Sequence, residues 1–585
     1  MRCLRSLVFV SLAVPAAGAG GLHIKIPMRD GVKLCANVFV PPGGGRFPTI
    51  LVRTPYGKGQ GIGNYQVFVD RKFAVVIQDV RGRYHSEGTF DPLFQEGPDG
   101  SDTLDWIAKQ EWSNGAVGMM GGSYLGIAQW RVAVLNNPHL KAIFPIVAGC
   151  DDYRDRFYSY GGALKLGHRL QWMAENLRAP DFPMPDFRKF IYHLPLRTAD
   201  RAVTGRRIEM FQKALDHPTR DRFWDELSIL GHLQKVQIPA FIVGGWYDNY
   251  VESDLEAFAQ LRKRSSAHRV LIGPWPHNMS SPIRTIDFGP DSQAPIRKYQ
   301  LEWFEYWLKT PESFRVRHPF PHPPARLFLM GANEWREEQE WPLRRAQEVR
   351  FYLNSRKGAN SLGGDGLLTR SRPRREGSSR YTYDPRNPTP TAGGAVCCNE
   401  KVFPWGPMDQ RAVEQRRDVL VYTSRPLRSS LEVTGPVRVV LYVSTSAPDT
   451  DFTAKLVDVY PDGRAINLTD GILRLRYRQS LERAVPSKPG EVYAITIDAG
   501  VTSALFRTGH SIRLEISSSN FPRFDRNLNT GRAQADETEM KTASQTVWHG
   551  GARASYLALP VTGGLGSAHS LPRAESNPGS RGGRI

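Results

Sequence analysis

The segment spanning residues 117–126 constrains this chain more than any other. An apolar, strand-like run ends in two glycines, Ser123 follows, and a helix-like segment extends from Leu125 to Leu135. Strand, sharp turn and helix is the arrangement of a nucleophile elbow, which exposes a serine hydroxyl at the edge of a sheet. The trailing glycine is Gly126, one place later than the G-x-S-x-G pattern requires. A glycine-rich turn with an incidental serine is the alternative.

The residues around this segment predict a parallel sheet. Apolar strands alternate with helical patterns from Pro48 to Val147 and again from Ile238 to Leu308. Such alternation is typical of a parallel sheet that is covered on both faces. Leu22–Pro27 and Val32–Val40 are predicted to form an antiparallel hairpin at its edge. Residues 150–236 mix aromatics, charges and prolines with helix-like pieces, which indicates a helical cap over the strand ends.

Beyond about Pro321 the pattern changes to short strands separated by turns, starting at residues 327–329, which predicts a jelly roll. Within it, residues 355–380 are rich in Gly, Ser and Arg and are predicted to form a mobile loop. The predicted fold class is therefore α/β: an α/β-hydrolase domain with a helical cap insertion, followed by an all-β jelly-roll sandwich. The predicted divisions are a signal peptide (1–19), the hydrolase domain (20–149 and 237–318), the cap (150–236), the jelly roll (319–567) and a disordered tail (568–585).

The N-terminus has the pattern of a secretory signal. A short basic region precedes the apolar run Ser6–Val14, and the small residues Ala17–Ala19 offer a cleavage site. The apolar run is shorter than the roughly 18 residues of a membrane span. We therefore expect export, to the periplasm or the medium, with cleavage near Ala19. A buried first strand is the alternative interpretation.

Composition excludes several classes of protein. The chain carries a net charge of +19, yet it shows neither a basic stripe with interleaved aromatics nor a nucleic-acid motif, so a solvated basic surface is expected. Its five cysteines lack metal-site spacing, so neither a zinc site nor a disulfide framework is predicted, and a single pairing of mature cysteines is left open.

A serine nucleophile needs a base, and the chain supplies candidates in the order found in α/β-hydrolases. Asp248 ends one predicted strand, and His277 lies in the loop after the next, so both should reach the same sheet edge as Ser123. Asp248 would orient the imidazole, and His277 would take and return the serine proton. Alternatively, Asp248 is a turn residue and His277 a surface histidine. His268 precedes the last strand and should lie at the opposite edge.

A tetrahedral intermediate also needs donors to its oxyanion. The backbone N–H of Tyr124, directly after the nucleophile, is one. Tyr56 follows the strand Pro48–Arg53, where the second donor of such hydrolases usually arises. A turn aromatic after Pro55 is the alternative role for Tyr56.

These stretches resemble a known family of serine hydrolases, the CocE/NonD or peptidase S15 type, which includes cocaine esterase, glutaryl-7-aminocephalosporanic acid acylase and X-Pro dipeptidyl-peptidase. The resemblance implies Ser123, Asp248 and His277 as a catalytic triad, with Tyr56 and the Tyr124 amide as the oxyanion hole. It also implies the three-part fold predicted above. The matching stretches are residues 53–56, 78–82, 121–126, 244–248, 273–277, 409–410, 418–422 and 518–522.

Departures from the family pattern bear on the substrate. α-Amino acid ester hydrolases carry extra carboxylates just after the triad aspartate to hold a substrate ammonium, whereas Asn249 and Tyr250 stand there in this chain. Asp151, Asp152 and Asp155 could supply such a charge, although a solvated acidic loop is the preferred interpretation.

Four aromatic residues are candidates for an acyl pocket, with core packing as their alternative role. They are Phe157, Trp172, Trp246 and Trp275.

The sequence thus predicts an exported serine hydrolase that cleaves acyl esters or amides through an acyl-enzyme. It needs no metal or cofactor, and its expected partner is a small-molecule or peptide acyl substrate. An X-Pro dipeptidyl-peptidase is the first alternative, and an inactive secreted binding protein that uses the jelly roll is the second. Oligomeric state is left open.

Overall fold

The computed structural model of the protein describes residues 21–563, apart from residues 282, 284, 285 and 398. The predicted leader, its cleavage site near Ala19 and the predicted tail (568–585) lie outside the described residues. The described chain forms a ten-stranded sheet flanked by helices and an eleven-stranded β-structure. The predicted fold class, an α/β-hydrolase with a helical cap and a C-terminal all-β domain, is confirmed. Among the described residues, no helix combines the length and apolarity needed to cross a bilayer.

The first sheet has the strand order β1-β2-β4-β3-β5-β6-β7-β8-β9-β10. Strands β3 to β9 run parallel to one another, and β1 pairs antiparallel with β2 as the predicted edge hairpin. The strands are β1 Leu22–Pro27, β2 Lys33–Phe39, β3 Phe47–Thr54, β4 Ala74–Asp79, β5 Ser113–Gly122, β6 Leu140–Ile146, β7 Phe241–Tyr247, β8 Arg269–Pro276, β9 Ala325–Leu329 and β10 Glu334–Glu338.

Helices cover both faces of this sheet, which explains why its central strands are apolar throughout. Phe68 of α1 and Phe304 of α10 belong to the apolar layer on one face, and Trp130 of α3 and Phe258 of α9 to the layer on the other. The helices outside the cap are α1 Gln66–Asp70, α2 Glu96–Ala108, α3 Tyr124–Ala133, α9 Val251–Arg262, α10 Ile296–Lys309, α11 Glu312–Arg317 and α12 Arg411–Glu414; those of the cap are α4 Leu166–Asn176, α5 Phe187–Phe190, α6 Ala199–Thr204, α7 Glu209–Asp216 and α8 Arg222–Leu227.

The cap leaves the sheet after β6 and returns to it at β7. It begins with a π-helical turn, Asp152–Phe157, and its helices are short. The side chain of Asp525, in the β-structure, accepts hydrogen bonds from the backbone N–H of Leu164 (2.9 Å) and from Arg474 Nη2 (2.8 Å). A buried ion pair of the β-structure is therefore bonded directly to the cap backbone.

The second β-structure has the order β13-β20-β15-β21-β11-β12-β14-β19-β16-β17, with β18 also paired to β15. Three of its strands, β11, β13 and β20, alternate buried and more exposed side chains, as expected for stacked antiparallel layers. The strands of this structure are β11 Gln347–Asn354, β12 Leu367–Thr369, β13 Gly377–Tyr383, β14 Leu420–Ser424, β15 Leu431–Thr445, β16 Asp451–Val459, β17 Ala465–Arg474, β18 Tyr493–Phe506, β19 Ser511–Ser517, β20 Ala543–His549 and β21 Tyr556–Gly563.

Two predictions about this half of the chain are wrong. Residues 327–329, assigned from the sequence to the sandwich, lie in β9, which pairs parallel with β8 of the first sheet. Residues 355–380, predicted to be a mobile loop, contain β12 and the start of β13. The carboxylate of Asp365 fixes the turn between β11 and β12 because it accepts hydrogen bonds from the backbone N–H groups of Arg356 (3.0 Å) and Lys357 (2.9 Å).

Candidate active site

Ser123 lies between β5 and α3 in a backbone conformation that side chains rarely adopt, with φ 55° and ψ −123°. Its N–H donates to the Ile146 carbonyl (2.8 Å), and its own carbonyl accepts from the N–H groups of Gly126 (2.8 Å) and Ile127 (3.0 Å). These bonds to β6 and α3 hold the strained residue in place. The hydroxyl is thereby directed to the carboxyl edge of the sheet, as in a nucleophile elbow.

The glycines around Ser123 allow the close approach that this turn requires. Gly121 has φ +141°, and a Cβ there would lie 2.5 Å from Leu125 Cβ. A Cβ on Gly126 would lie 2.6 Å from Ala148 Cβ, so the trailing glycine lets α3 pack against the chain after β6. The departure from the G-x-S-x-G spacing therefore has a steric explanation.

The structure brings the three predicted triad residues together. His277 Nδ1 is 2.6 Å from Asp248 Oδ1, and His277 Nε2 is 3.0 Å from Ser123 Oγ. Asp248 is fully buried, and its second oxygen accepts a hydrogen bond from the backbone N–H of Tyr250 (3.1 Å). Because a carboxylate only accepts, the imidazole proton resides on Nδ1, which leaves Nε2 to accept from the serine hydroxyl.

His268 lies at the opposite edge of the sheet, as expected. Its Nδ1 accepts a hydrogen bond from the backbone N–H of Ala240, just before β7. Burial lowers the pKa of His268 to about 4, so this imidazole is neutral and structural.

The structure places the two predicted oxyanion donors, Tyr56 and Tyr124, in the same cleft as Ser123. Tyr124 is the first residue of α3, so its N–H has no carbonyl partner within the helix. The Tyr56 hydroxyl accepts a hydrogen bond from Trp172 Nε1 (3.2 Å), and Tyr56 lines the same cleft as Ser123. Burial raises the pKa of Tyr56 above its ordinary value, so the phenol keeps its proton at neutral pH and can donate it.

A cleft of about 610 Å³, counted to its open mouth, leads from Ser123 under the cap. Its walls come from the elbow, the loop before α2, the π-helical turn, α4, and the start of α7. The lining residues are Tyr56, Pro92, Leu93, Ser123, Tyr124, Ile127, Arg156, Phe157, His168, Arg169, Trp172, Met173, Leu177, Ile208, Met210, Phe211 and Tyr250.

Of the four predicted pocket aromatics, the structure brings Phe157 and Trp172 to the cleft but not the other two. Trp246 is 2% exposed and donates to the Phe328 carbonyl (2.7 Å). Trp275 is 1% exposed and belongs to the apolar layer beneath α10. The prediction that these two tryptophans line the pocket is wrong. Their side chains point toward the packed faces of the first sheet and not toward its carboxyl edge.

The expectation of a solvated acidic loop is also wrong. Asp151, Asp152 and Asp155 are all fully buried. Asp152 accepts from Arg131 Nη2 (2.7 Å) and Arg156 Nη1 (2.9 Å), so it is already committed to two guanidinium groups.

The other two carboxylates are equally occupied. Asp151 is paired with Arg154 (2.6 Å), and Asp155 accepts from Ser253 Oγ (2.5 Å). Burial, together with the neighbouring Asp151 carboxylate, raises the pKa of Asp155 to about 7. None of the three acids lines the cleft.

Tyr250 lines the cleft with its ring centroid 5.6 Å from that of His277, whereas Asn249 faces a separate cavity on the side of the β-structure. Most cap residues of the cleft were missed by sequence reasoning because their patterns are those of ordinary helices. The amphipathic run of α7 is the one signal that could have indicated Met210 and Phe211 as inward-facing.

Comparison with known proteins places these observations in a family. The model of the X-Pro dipeptidyl-peptidase S15 family matches residues 30–279, and that of the X-Pro dipeptidyl-peptidase C-terminal non-catalytic domain matches residues 320–558. A cocaine esterase of Rhodococcus sp. (strain MB1 Bresler) is 39% identical over 572 residues, covering 92% of this chain and 98% of that protein.

Solved structures agree over nearly the whole chain. An aminopeptidase from a marine sediment Thaumarchaeota archaeon superposes with a TM-score of 0.82 at 25% identity, covering 95% of this chain and 99% of that one. An α-amino acid ester hydrolase superposes with a TM-score of 0.80, also at 25% identity, covering 96% of this chain and 100% of that one.

The packing of the elbow yields a prediction about Gly126. The Gly126→Ala substitution should destabilise the protein by about 1–3 kcal/mol, because the methyl group overpacks against Ala148. This loss should exceed the gain of about 1 kcal/mol expected from alanine in a helix. The measurement is the midpoint of thermal unfolding.

Gly122→Ala is the matched control, since a Cβ there would approach no neighbouring atom closer than 3.7 Å. Its midpoint should stay close to that of the wild type. Equal midpoints for the two variants would contradict the proposed close approach.

Proposed function

This chain belongs to the S15, or CocE/NonD-type, family of serine hydrolases, and on that premise we propose that it hydrolyses acyl esters or amides through an acyl-enzyme on Ser123. The observation that carries the proposal is the continuous set of bonds from Asp248 through His277 to Ser123, at 2.6 and 3.0 Å. Separations of this size allow a proton to pass from the hydroxyl to the imidazole as the serine attacks.

In the first half-reaction Ser123 Oγ bonds to the acyl carbon, and its proton passes to His277 Nε2. The buried Asp248 carboxylate stabilises the imidazolium that forms. The oxyanion accepts hydrogen bonds from the Tyr124 N–H and the Tyr56 hydroxyl. The carbon–oxygen or carbon–nitrogen bond of the leaving group then breaks, and the alcohol or amine takes the proton from His277.

In the second half-reaction water attacks the acyl-serine. Its proton passes to His277 Nε2, and the same two donors receive the charge. Release of the acid returns the proton to Ser123. The cycle is balanced by one water molecule and uses only groups of this chain.

The lining of the cleft favours esters or simple amides over X-Pro peptides. A dipeptidyl-peptidase must bind the free ammonium of its substrate, which calls for a carboxylate. Of the described residues that line the cleft, none is acidic, and the nearby Asp152 is held by two arginines. A binding protein on an inactive scaffold is disfavoured because Asp248, His277 and Ser123 lie within hydrogen-bond distance of one another in sequence.

The proposal is tested with two substrates and one probe. We expect a p-nitrophenyl acyl ester to be turned over with a higher kcat/KM than an X-Pro p-nitroanilide. A fluorophosphonate should label the wild type and fail to label Ser123→Ala, because the adduct forms on the activated serine oxygen.

A clear preference for the anilide would instead favour the dipeptidyl-peptidase. Failure of the folded wild type to be labelled would favour the binding protein. Arg188→Gln, a substitution on the exposed surface of the cap, serves as the labelling control.

Tyr56 provides a second test. Loss of its hydroxyl in Tyr56→Phe should lower kcat by about 10²–10³-fold with little change in KM, because the bond to the oxyanion is made chiefly in the transition state. Tyr65→Phe removes a phenol hydroxyl outside the cleft and should leave kcat unchanged. Equal kinetics for the two variants would exclude Tyr56 from the oxyanion hole.

We also propose that the protein is exported, on the strength of the basic, apolar and small-residue pattern of residues 1–19. Sequencing of the N-terminus after expression in the native host should give a start near Gly20. An intact Met1 on protein retained in the cytoplasm would contradict export.

A further inference from the structure

The cleft contains a guanidinium group that the mechanism above does not use. Arg169, on α4, is one of the lining residues. Its guanidinium carbon lies 4.4 Å from the centroid of the Phe157 ring and 5.8 Å from that of Trp172. Its Nε and Nη2 donate to the Arg156 carbonyl at 3.2 and 2.6 Å. The aromatic faces and this carbonyl hold the group in one orientation.

No carboxylate of the described chain neutralises Arg169. Among the described residues, no ion pair joins its side chain to an acid. Asp152, an acid that acts on it electrostatically, bonds to Arg131 and Arg156 instead. Two arginines thus share one carboxylate behind the cleft wall, and Arg169 adds a further positive charge.

The charge of Arg169 persists at neutral pH. Burial lowers the pKa of this guanidinium to about 10, which still leaves it protonated. Burial also lowers the pKa of the adjacent His168 well below its ordinary value, so that imidazole is neutral. Among the described lining residues, Arg169 is therefore a cation without a counter-ion, and a desolvated cation is stabilised strongly by any anion that enters.

We propose that Arg169 determines substrate specificity by binding a carboxylate on the part of the substrate that occupies the cleft. Preferred substrates are then esters or amides with a second, free carboxylate, and substrates with an ammonium group at that position are repelled. Nη1 takes no part in the bonds to Arg156, so it is the nitrogen available to the anion. The inference rests on the proposed function, since it names the substrate class of the same site.

Three phenyl esters of matched length test the inference: monophenyl adipate, phenyl hexanoate and phenyl 6-aminohexanoate. They carry an anionic, a neutral and a cationic end, and phenol release reports on each. The wild type should show kcat/KM in that descending order. The quantity of interest is the ratio of adipate to hexanoate, because a general loss of activity cancels from it.

Arg169→Gln should reduce this ratio about 10–100-fold, the effect expected from losing a hydrogen-bonded charge pair. Arg169→Lys keeps the charge but not the planar, forked guanidinium. Its adipate-to-hexanoate ratio should lie between those of the wild type and Arg169→Gln. Arg188→Gln removes an equal charge from the exposed surface of the cap and should leave the ratio unchanged, which excludes a general electrostatic effect. Fluorophosphonate labelling of each variant shows that its nucleophile is assembled.

The outcomes separate this inference from the function on which it rests. An unlabelled wild type that cleaves none of the three esters would overturn the proposed function. Suppose that the wild type is labelled but its kcat/KM for phenyl hexanoate or phenyl 6-aminohexanoate equals or exceeds that for monophenyl adipate. This result would overturn the anionic subsite alone. Retention of the wild-type ratio by Arg169→Gln would also overturn the subsite.

Discussion

The parallel pairing of β5, β6, β7 and β8 is the constraint on which the site depends. It brings the carboxyl ends of all four strands to one edge. Ser123 can therefore meet Asp248, which lies 125 positions later in the sequence, and His277, which lies 154 positions later. Strands lie about 4.8 Å apart, so roughly 14 Å separates the axes of β5 and β8. His277 is the first residue after β8, and its side chain bonds both to Asp248, just after β7, and to Ser123, just after β5. The two distances within the proposed triad follow from this arrangement.

The parts of the fold and site that could be predicted from the sequence are those determined by local patterns. Apolar runs that end in Ser123 or Asp248, or just before His277, are visible in the sequence. Because these runs form parallel strands of one sheet, the residues at their ends lie at a common edge. The strand of residues 327–329 was misassigned because its partner is β8, and a three-residue apolar run gives no indication of which sheet it will join.

The errors in the site have a similar origin. Buried acids such as Asp152 looked solvent-exposed because one of their arginines, Arg131, comes from α3 and is remote in sequence. Trp246 and Trp275 were misplaced because the face toward which a strand side chain points depends on register and twist. Arg169 could not be identified at all, since its significance depends on which carboxylates the fold has already paired with other groups.

Trp172 links the proposed oxyanion donors to the Arg169 cation of the cleft. Its indole N–H bonds to the Tyr56 hydroxyl, and its ring lies parallel to that of Tyr124, with centroids 6.4 Å apart. The same ring lies beside the Arg169 guanidinium, on the same cap helix. A change of substrate selectivity that is made through α4 would therefore also disturb the proposed oxyanion donors. Substitutions in this helix should be inherited in correlated sets, each restoring turnover after a change of substrate.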